Sequence, residues 1–268
     1  MRHSKLCLGV RRIGLNIVRQ RAIEMPDRIA QYCGVHLNLQ NPELGEEYFY
    51  RSLPFCIIDA VFSIAARYTS TRNAVIRFCN RQGLQRLRHK GSPYPEIAEQ
   101  YSVRQFDEFL SRHDDYEQIA TGVFGNRQRT SATNGILKAE AVHGFARVLL
   151  RHNVNYFQDI PTVIRSSHFE LDICALPGQT YGTSLKYFFM LAGEENMVKP
   201  DRMILRFLWR VIRNQVSPQE AHTWLSRALQ ILNQTYPTLT LRELDHEIWK
   251  YEKSMAKKSI QPTRCTRG

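Results

Sequence analysis

The stretch that decides the reading runs from Leu171 to Val211, LDICALPGQTYGTSLKYFFMLAGEENMVKPDRMILRFLWRV. It parses as helix, tight turn, helix, loop and helix. The turn is Leu176-Pro177-Gly178-Gln179-Thr180-Tyr181-Gly182-Thr183. Pro177 disfavours the helical conformation in the residue before it, so the first helix ends there. Gly178 and Gly182 permit backbone conformations and close approaches that a side chain would block. The second helix carries Leu185, Phe188, Phe189 and Ala192 on one face. A glycine-containing turn feeding a helix leaves backbone N–H groups without partners. Those groups and the helix dipole favour an anion such as a DNA phosphate. Such a contact positions a duplex without reading its sequence. The same octapeptide also suits a plain helical corner whose glycines only permit close packing.

Further along, Pro200-Asp201 opens another helix, and aspartate is a good N-cap. Arg202, Arg206, Arg210 and Arg213 form a basic stripe on it, opposite an apolar face of Ile204, Phe207, Leu208 and Val211. The arginines suit phosphate contact or a solvated face. Outside this stretch, Leu53 to Ala66 is apolar almost all round, as in a buried central helix. Amphipathic helices are predicted over Lys138–His152, Gln219–Asn233 and Leu241–Met255. No alternating strand pattern of useful length occurs, so the fold class is all-α, with room for short hairpins in loops. Gly122 to Gly135 reads as a polar, basic loop of functional length and Gly91 to Pro95 as a second break. Residues 258–268 form a basic tail without periodicity, expected to be disordered.

Lys and Arg number 37 against 25 Asp and Glu, a formal charge of +12 that favours polyanionic partners, nucleic acid above all. The charge is segregated. Arg67 to Lys90 holds seven basic residues and no acid, and Met1 to Ala22 six and none, whereas Glu24 to Glu47 is acidic. No run of about 18 apolar residues exists, so no membrane span is expected, and the N-terminus lacks the apolar stretch of a secretory signal. Six scattered cysteines form no C-x-x-C pair, which suggests neither zinc nor an iron–sulfur cluster and fits a reducing, cytoplasmic location. His143 and His152 share a helix but lie nine residues apart without a carboxylate at ligand spacing. Asp245-His246-Glu247 points three ways from one helix and reads as surface, with Ile248 and Trp249 packing inward.

The phrase LPGQTYGTSLKYFFMLAGEENMVKPDRMILRF resembles the helix–hairpin–helix, Gly/Pro-rich loop and aspartate signature of the endonuclease III type of DNA glycosylase superfamily. VFSIAARYTSTRNAV (Val61–Val75) and KAEAVHGFARVLLRHN (Lys138–Asn153) are similar, in order and spacing, to that family's early barrel helix with its DNA-facing loop and to its helix before the hairpin. The resemblance implies two interleaved helical lobes: a barrel over residues 50–192 containing the hairpin, and a second lobe from residues 1–49 and 193–257, with double-stranded DNA in the cleft. It implies a hairpin grip on the DNA backbone by Gly178, Gln179, Thr180, Tyr181, Gly182 and Thr183, with Arg202 beside it. Asp201 would then be the catalytic carboxylate, facing the sugar of a flipped nucleotide. Cleaving an N-glycosidic bond develops positive charge on the sugar, which a nearby anion stabilises. Arg67 and Tyr68 are the candidates for the wedge that fills the vacated stack, or else a basic loop with a partly packed tyrosine.

Two departures qualify the implied chemistry. The position of the Schiff-base lysine of strand-cutting relatives is Gly182, with Lys186 one turn later, so a monofunctional hydrolase is implied. The second hairpin glycine is Thr180, which alters the place where a monovalent cation would bind. No other cofactor is expected, the four-cysteine cluster of some relatives being absent. The expected function is base excision by a monomeric DNA glycosylase. A non-catalytic DNA-binding protein on the same scaffold and a modified-base-directed defence enzyme are the alternatives.

Overall fold

The computed structural model describes residues 24–258. Twelve helices, α1 to α12, account for most of these residues, and no β-strand forms among them beyond the isolated bridges Tyr50–Leu87 and Arg129–Leu137. None of the helices is long and apolar enough to cross a membrane. The basic run Met1–Ala22 lies outside the described residues, as does all of the expected tail except Lys258, which ends the last helix. The chain divides into two compact units, residues 44–199 and residues 1–43 with 200–268. The boundaries differ from those implied by the resemblance. Tyr48 and Met197 pack on the same core as the helices between them, which draws both flanking segments into the larger unit.

The larger unit is built around α2 (Leu53–Phe62), every residue of which is buried. It packs against α3 (Tyr68–Gln82), α6 (Lys138–Arg151) and α9 (Thr183–Leu191). A helix enclosed on all sides needs apolar residues all round, and LPFCIIDAVF supplies them except at Asp59. Phenylalanines fill the spaces between helices: Phe78 meets Phe106 of α4 (Val103–Leu110) edge to face at 5.0 Å, and Phe145 meets Phe188 at 5.1 Å. The short α5 (Tyr116–Gln118) runs into a wider π turn, Ile119–Val123. Two further short helices, α7 (Ile160–Val163) and α8 (Ser167–Cys174), lead to the hairpin.

α2 stops at Phe62, four residues short of the expected Ala66. The chain turns there through Ala65, at a left-handed φ of 47°. Lys138, the first residue of α6 and itself 1% exposed, donates from Nζ to Phe62 O (2.9 Å), Ile64 O (2.6 Å) and Gln128 Oε1 (3.0 Å). A cation at the negative end of a helix is well placed, and here it satisfies terminal carbonyls that would otherwise lie buried without partners. Burial and the charge of Lys199 draw its pKa down to about 8.

The smaller unit contains α1 (24–36), α10 (Arg202–Ile212), α11 (Pro218–Leu232) and α12 (Leu241–Lys258). Their starts are capped from the sequence: Ser217 and Glu220 form a capping box at α11, and Thr240 and Glu243 exchange the same pair of bonds at α12. Glu252, fully buried, receives Arg206 and Arg210, the latter at 3.1 Å. Tyr251 and Tyr32 join hydroxyls at 2.8 Å, and Arg28 donates to Val211 O at 3.0 Å. The arginine stripe of α10 is therefore consumed in part by the core of its own unit. Glu247, expected at the surface, is also buried and accepts from Lys250 at 2.7 Å, while Trp249 stays half-exposed, stacked on His246.

Glu252 is buried, but Arg206 and Arg210 keep access to solvent when the charge of Glu252 is removed. Glu252→Gln is therefore expected to destabilise the smaller unit by roughly 1 kcal/mol. All three tryptophans, Trp209, Trp224 and Trp249, lie in that unit, so urea unfolding followed by tryptophan fluorescence reads it selectively. An unchanged midpoint would show the pair to be structurally idle.

Candidate nucleic-acid interface

The expected hairpin joins α8 to α9. Leu176 N donates to Ile173 O (3.0 Å), Gln179 N to Leu176 O (3.0 Å) and Gly182 N to Gln179 O (2.8 Å), so the loop is two successive tight turns. Gly178 has φ of 82° and Gly182 φ of 63°, both in the region that favours glycine. Gly178 is constrained twice, because a Cβ there would lie 2.4 Å from the Thr130 Cβ. Thr130 belongs to the segment 122–135, and its N–H donates to Ile136 O at 2.9 Å, beside the Arg129–Leu137 bridge. The long loop is thus a small closed turn on which the hairpin rests.

Gly182 is the N-cap of α9 and has no side chain to cap with, so the first N–H groups of that helix lack an acceptor from its N-cap. Thr180 and Tyr181 form the exposed tip, Tyr181 being 84% exposed, and Thr183 is half-buried. Gln179, expected among the DNA contacts, is instead buried. Its Oε1 accepts from Ser184 Oγ, and its Nε2 is enclosed without a partner among the described residues. It stiffens the hairpin from inside.

Arg67 is the exposed N-cap residue of α3, and Tyr68 is the first residue of that helix, half-buried with its ring 6.3 Å from that of Tyr48. The wedge candidates therefore differ in setting: the arginine is accessible and the tyrosine is packed. Farther along α3, Arg77 donates to Phe124 O and Gly125 O and Arg81 to Gly122 O, which fixes part of the basic run to the neighbouring loop. In the smaller unit Asp201 is the N-cap of α10. Its Oδ1 accepts from Met203 N (2.7 Å) and Ile204 N (3.3 Å), its Oδ2 takes no donor among the described residues, and Arg202 beside it is exposed.

One group in the larger unit escaped the reading of the sequence. Asp59, the lone acid of α2, is 2% exposed. Its Oδ2 accepts from the Tyr50 hydroxyl at 2.8 Å and the Tyr187 hydroxyl at 3.5 Å, while its Oδ1 has no partner among the described residues. The Lys199 ammonium stands 3.8 Å from the centroid of the Tyr187 ring and donates to Ser63 Oγ at 3.0 Å. Burial pushes the Asp59 carboxyl up to about 6, against the opposing pull of the Tyr50 hydroxyl and of the Lys199 charge. Burial and the neighbouring carboxylate raise the phenols of Tyr50 and Tyr187. The signal in the sequence was a single acid inside an otherwise apolar helix.

The raised carboxyl makes a statement about stability. Below about pH 3.8 Asp59 is protonated in folded and unfolded chains alike, and its ionisation costs nothing. As pH rises through 6 the folded state must ionise a buried group, at a cost of up to roughly 3 kcal/mol. Asp59→Asn keeps an acceptor for the Tyr50 hydroxyl and removes the charge. It is expected to stabilise the protein at pH 7.5 and to lose that advantage by pH 4, as read from urea unfolding by far-ultraviolet circular dichroism. Equal stability of variant and parent at pH 7.5 would mean that the carboxylate is solvated or paired.

No curated protein and no solved structure gives a significant match to the chain. A family model described as "Domain of unknown function (DUF8548)" matches residues 27–253. Since that match covers most of the sequence, the chain belongs to the DUF8548 family.

Proposed function

We propose that this protein is a monofunctional DNA glycosylase of the helix–hairpin–helix kind, hydrolysing the N-glycosidic bond of a damaged or modified base in double-stranded DNA. The observation that carries the reading is the hairpin. Left-handed Gly178 and Gly182 flank an exposed Thr180-Tyr181 tip and feed a helix without a side-chain cap, and a helix-capping aspartate follows twenty-three residues after Gly178. The helix start offers unpartnered N–H groups to a phosphate. The surplus of positive charge, with Arg67 and Arg202 exposed, supplies the non-specific part of duplex affinity.

For the bond cleavage itself, the glycosidic electron pair leaves with the base, water adds to the sugar carbon and its proton passes to base or solvent. A carboxylate stabilises the cationic sugar or orients the water. Asp201 Oδ1 is held by two backbone N–H groups, which leaves Oδ2 for that task. Gly182 stands where a strand-cutting relative carries its lysine, which supports hydrolysis without lyase chemistry.

Asparagine caps helices as well as aspartate does, so Asp201→Asn removes the charge and spares the fold. Base release from duplexes carrying alkylated, oxidised, deaminated or methylated bases is expected from the parent. In the variant it should fall by at least about a hundredfold. Duplex affinity should persist in both and decline steeply with salt. Undiminished release by Asp201→Asn would remove that residue from the chemistry. Binding without release by the parent, across the whole panel, would favour the non-catalytic DNA-binding reading.

A further inference from the structure

Asp59 combines three properties that a residue serving only the fold does not need. Its side chain is buried, its charge is retained near neutrality only at a cost to stability, and one oxygen accepts nothing among the described residues. An empty acceptor of this kind is expensive unless something fills it. Oδ1 itself has almost no exposed surface, and the residues around the carboxyl, Tyr187, Lys199, Tyr68 and Ser63, are half-buried, so a ligand reaches it only where one of them gives way. The Lys199 ammonium occupies the face of the Tyr187 ring and is held there by Ser63 Oγ at 3.0 Å, so a ligand takes that place by displacing it. An electron-rich ring face, a fixed acceptor at its edge and a cationic donor are the groups that bind a planar heterocycle. The ring stacks, the acceptor reads an N–H, and the cation reaches a ring nitrogen or carbonyl oxygen.

We infer that Asp59 is the acceptor of a nucleobase-binding site in the larger unit, its Oδ1 receiving an N–H of a base whose ring packs on Tyr187 in the place held by the Lys199 ammonium. The inference rests on the proposed glycosylase function for the source of the base, a nucleotide turned out of a duplex. Asp59 is then a specificity-determining residue. It admits bases that present an N–H at that edge and rejects those on which the same nitrogen is alkylated.

Asp59→Asn tests this sharply. The Tyr50 hydroxyl needs an acceptor, so it holds the amide oxygen, and the NH2 group takes the place of Oδ1. A donor then replaces the acceptor with little change in shape. The full chain would be titrated with free uracil, hypoxanthine and adenine, each beside a ring-N-methylated analogue, and binding read as the rise in thermal midpoint with base concentration. The parent is expected to bind at least one of the three bases and to bind a methylated analogue of it at least tenfold more weakly. Asp59→Asn should bind the same base at least tenfold more weakly than the parent, and Tyr187→Leu should lose affinity by a similar factor. No midpoint shift in the parent up to the solubility limit of all three bases would overturn the site, as would undiminished binding by Asp59→Asn. Base release from DNA without free-base binding would remove the site and leave the glycosylase reading intact. Free-base binding without release would keep the site and remove the activity.

Discussion

The larger unit depends on one buried cation. Lys138 closes the end of α2 with its ammonium, begins α6 with its backbone, and holds Gln128 through both its side chain and its N–H, which donates to Gln128 O at 2.8 Å. The end of α2, the start of α6 and the loop at Gln128 thereby meet at a single nitrogen. Two residues beyond Gln128 lies Thr130, the residue against which Gly178 closes. The position of the hairpin is thus inherited through a short chain of contacts that starts at the ammonium. A neutral residue of equal length at 138 would leave the carbonyls of Phe62 and Ile64 dry and unpaired, and the loop from Ser63 to Arg67 would lose its anchor.

The two units spend their charges differently. In the smaller one, Glu252 sits between two arginines and Asp201 is engaged by backbone amides, so most of the charge visible along α10 is used in holding helices and helix ends together. In the larger one, Asp59 and Lys138 are buried, both with shifted proton affinity, and Lys199 influences each of them. Strong perturbation of neighbouring groups is commoner where chemistry or recognition happens than where helices merely pack. Both of these perturbed groups lie near the end of α2.

Much of this was legible in the sequence because it is local. The 3.6-residue period placed α6, α11 and α12 within a few residues of their ends, and the turn between α8 and α9 followed from Pro177 and two glycines. Asp201 reads as an N-cap and is one. What escaped depends on which long-range neighbour a side chain meets. Arg206 and Arg210 look like a free basic stripe until Glu252, more than forty residues away, is folded between them. Gln179 looks like a polar tip residue until Ser184 turns it inward. Asp59 was lost in the apolar average of its helix, although a solitary acid among nine uncharged residues is the more informative part of that sequence. The premature end of α2 is of the same kind, since the cation that stops it is contributed from position 138.

The smaller unit is assembled from two pieces of chain separated by the whole of the larger one, residues 44–199. On the ribosome these pieces emerge far apart in time. At about 5–20 residues per second, α1 waits on the order of ten seconds before α10 and its successors leave the tunnel. Through that interval its apolar face, with Ile29 and Cys33 fully covered in the finished protein, has no partner from its own unit. The contiguous larger unit can complete its core meanwhile. The order of synthesis therefore imposes an order of folding, with a nascent helix exposed to chaperones until the last quarter of the chain arrives.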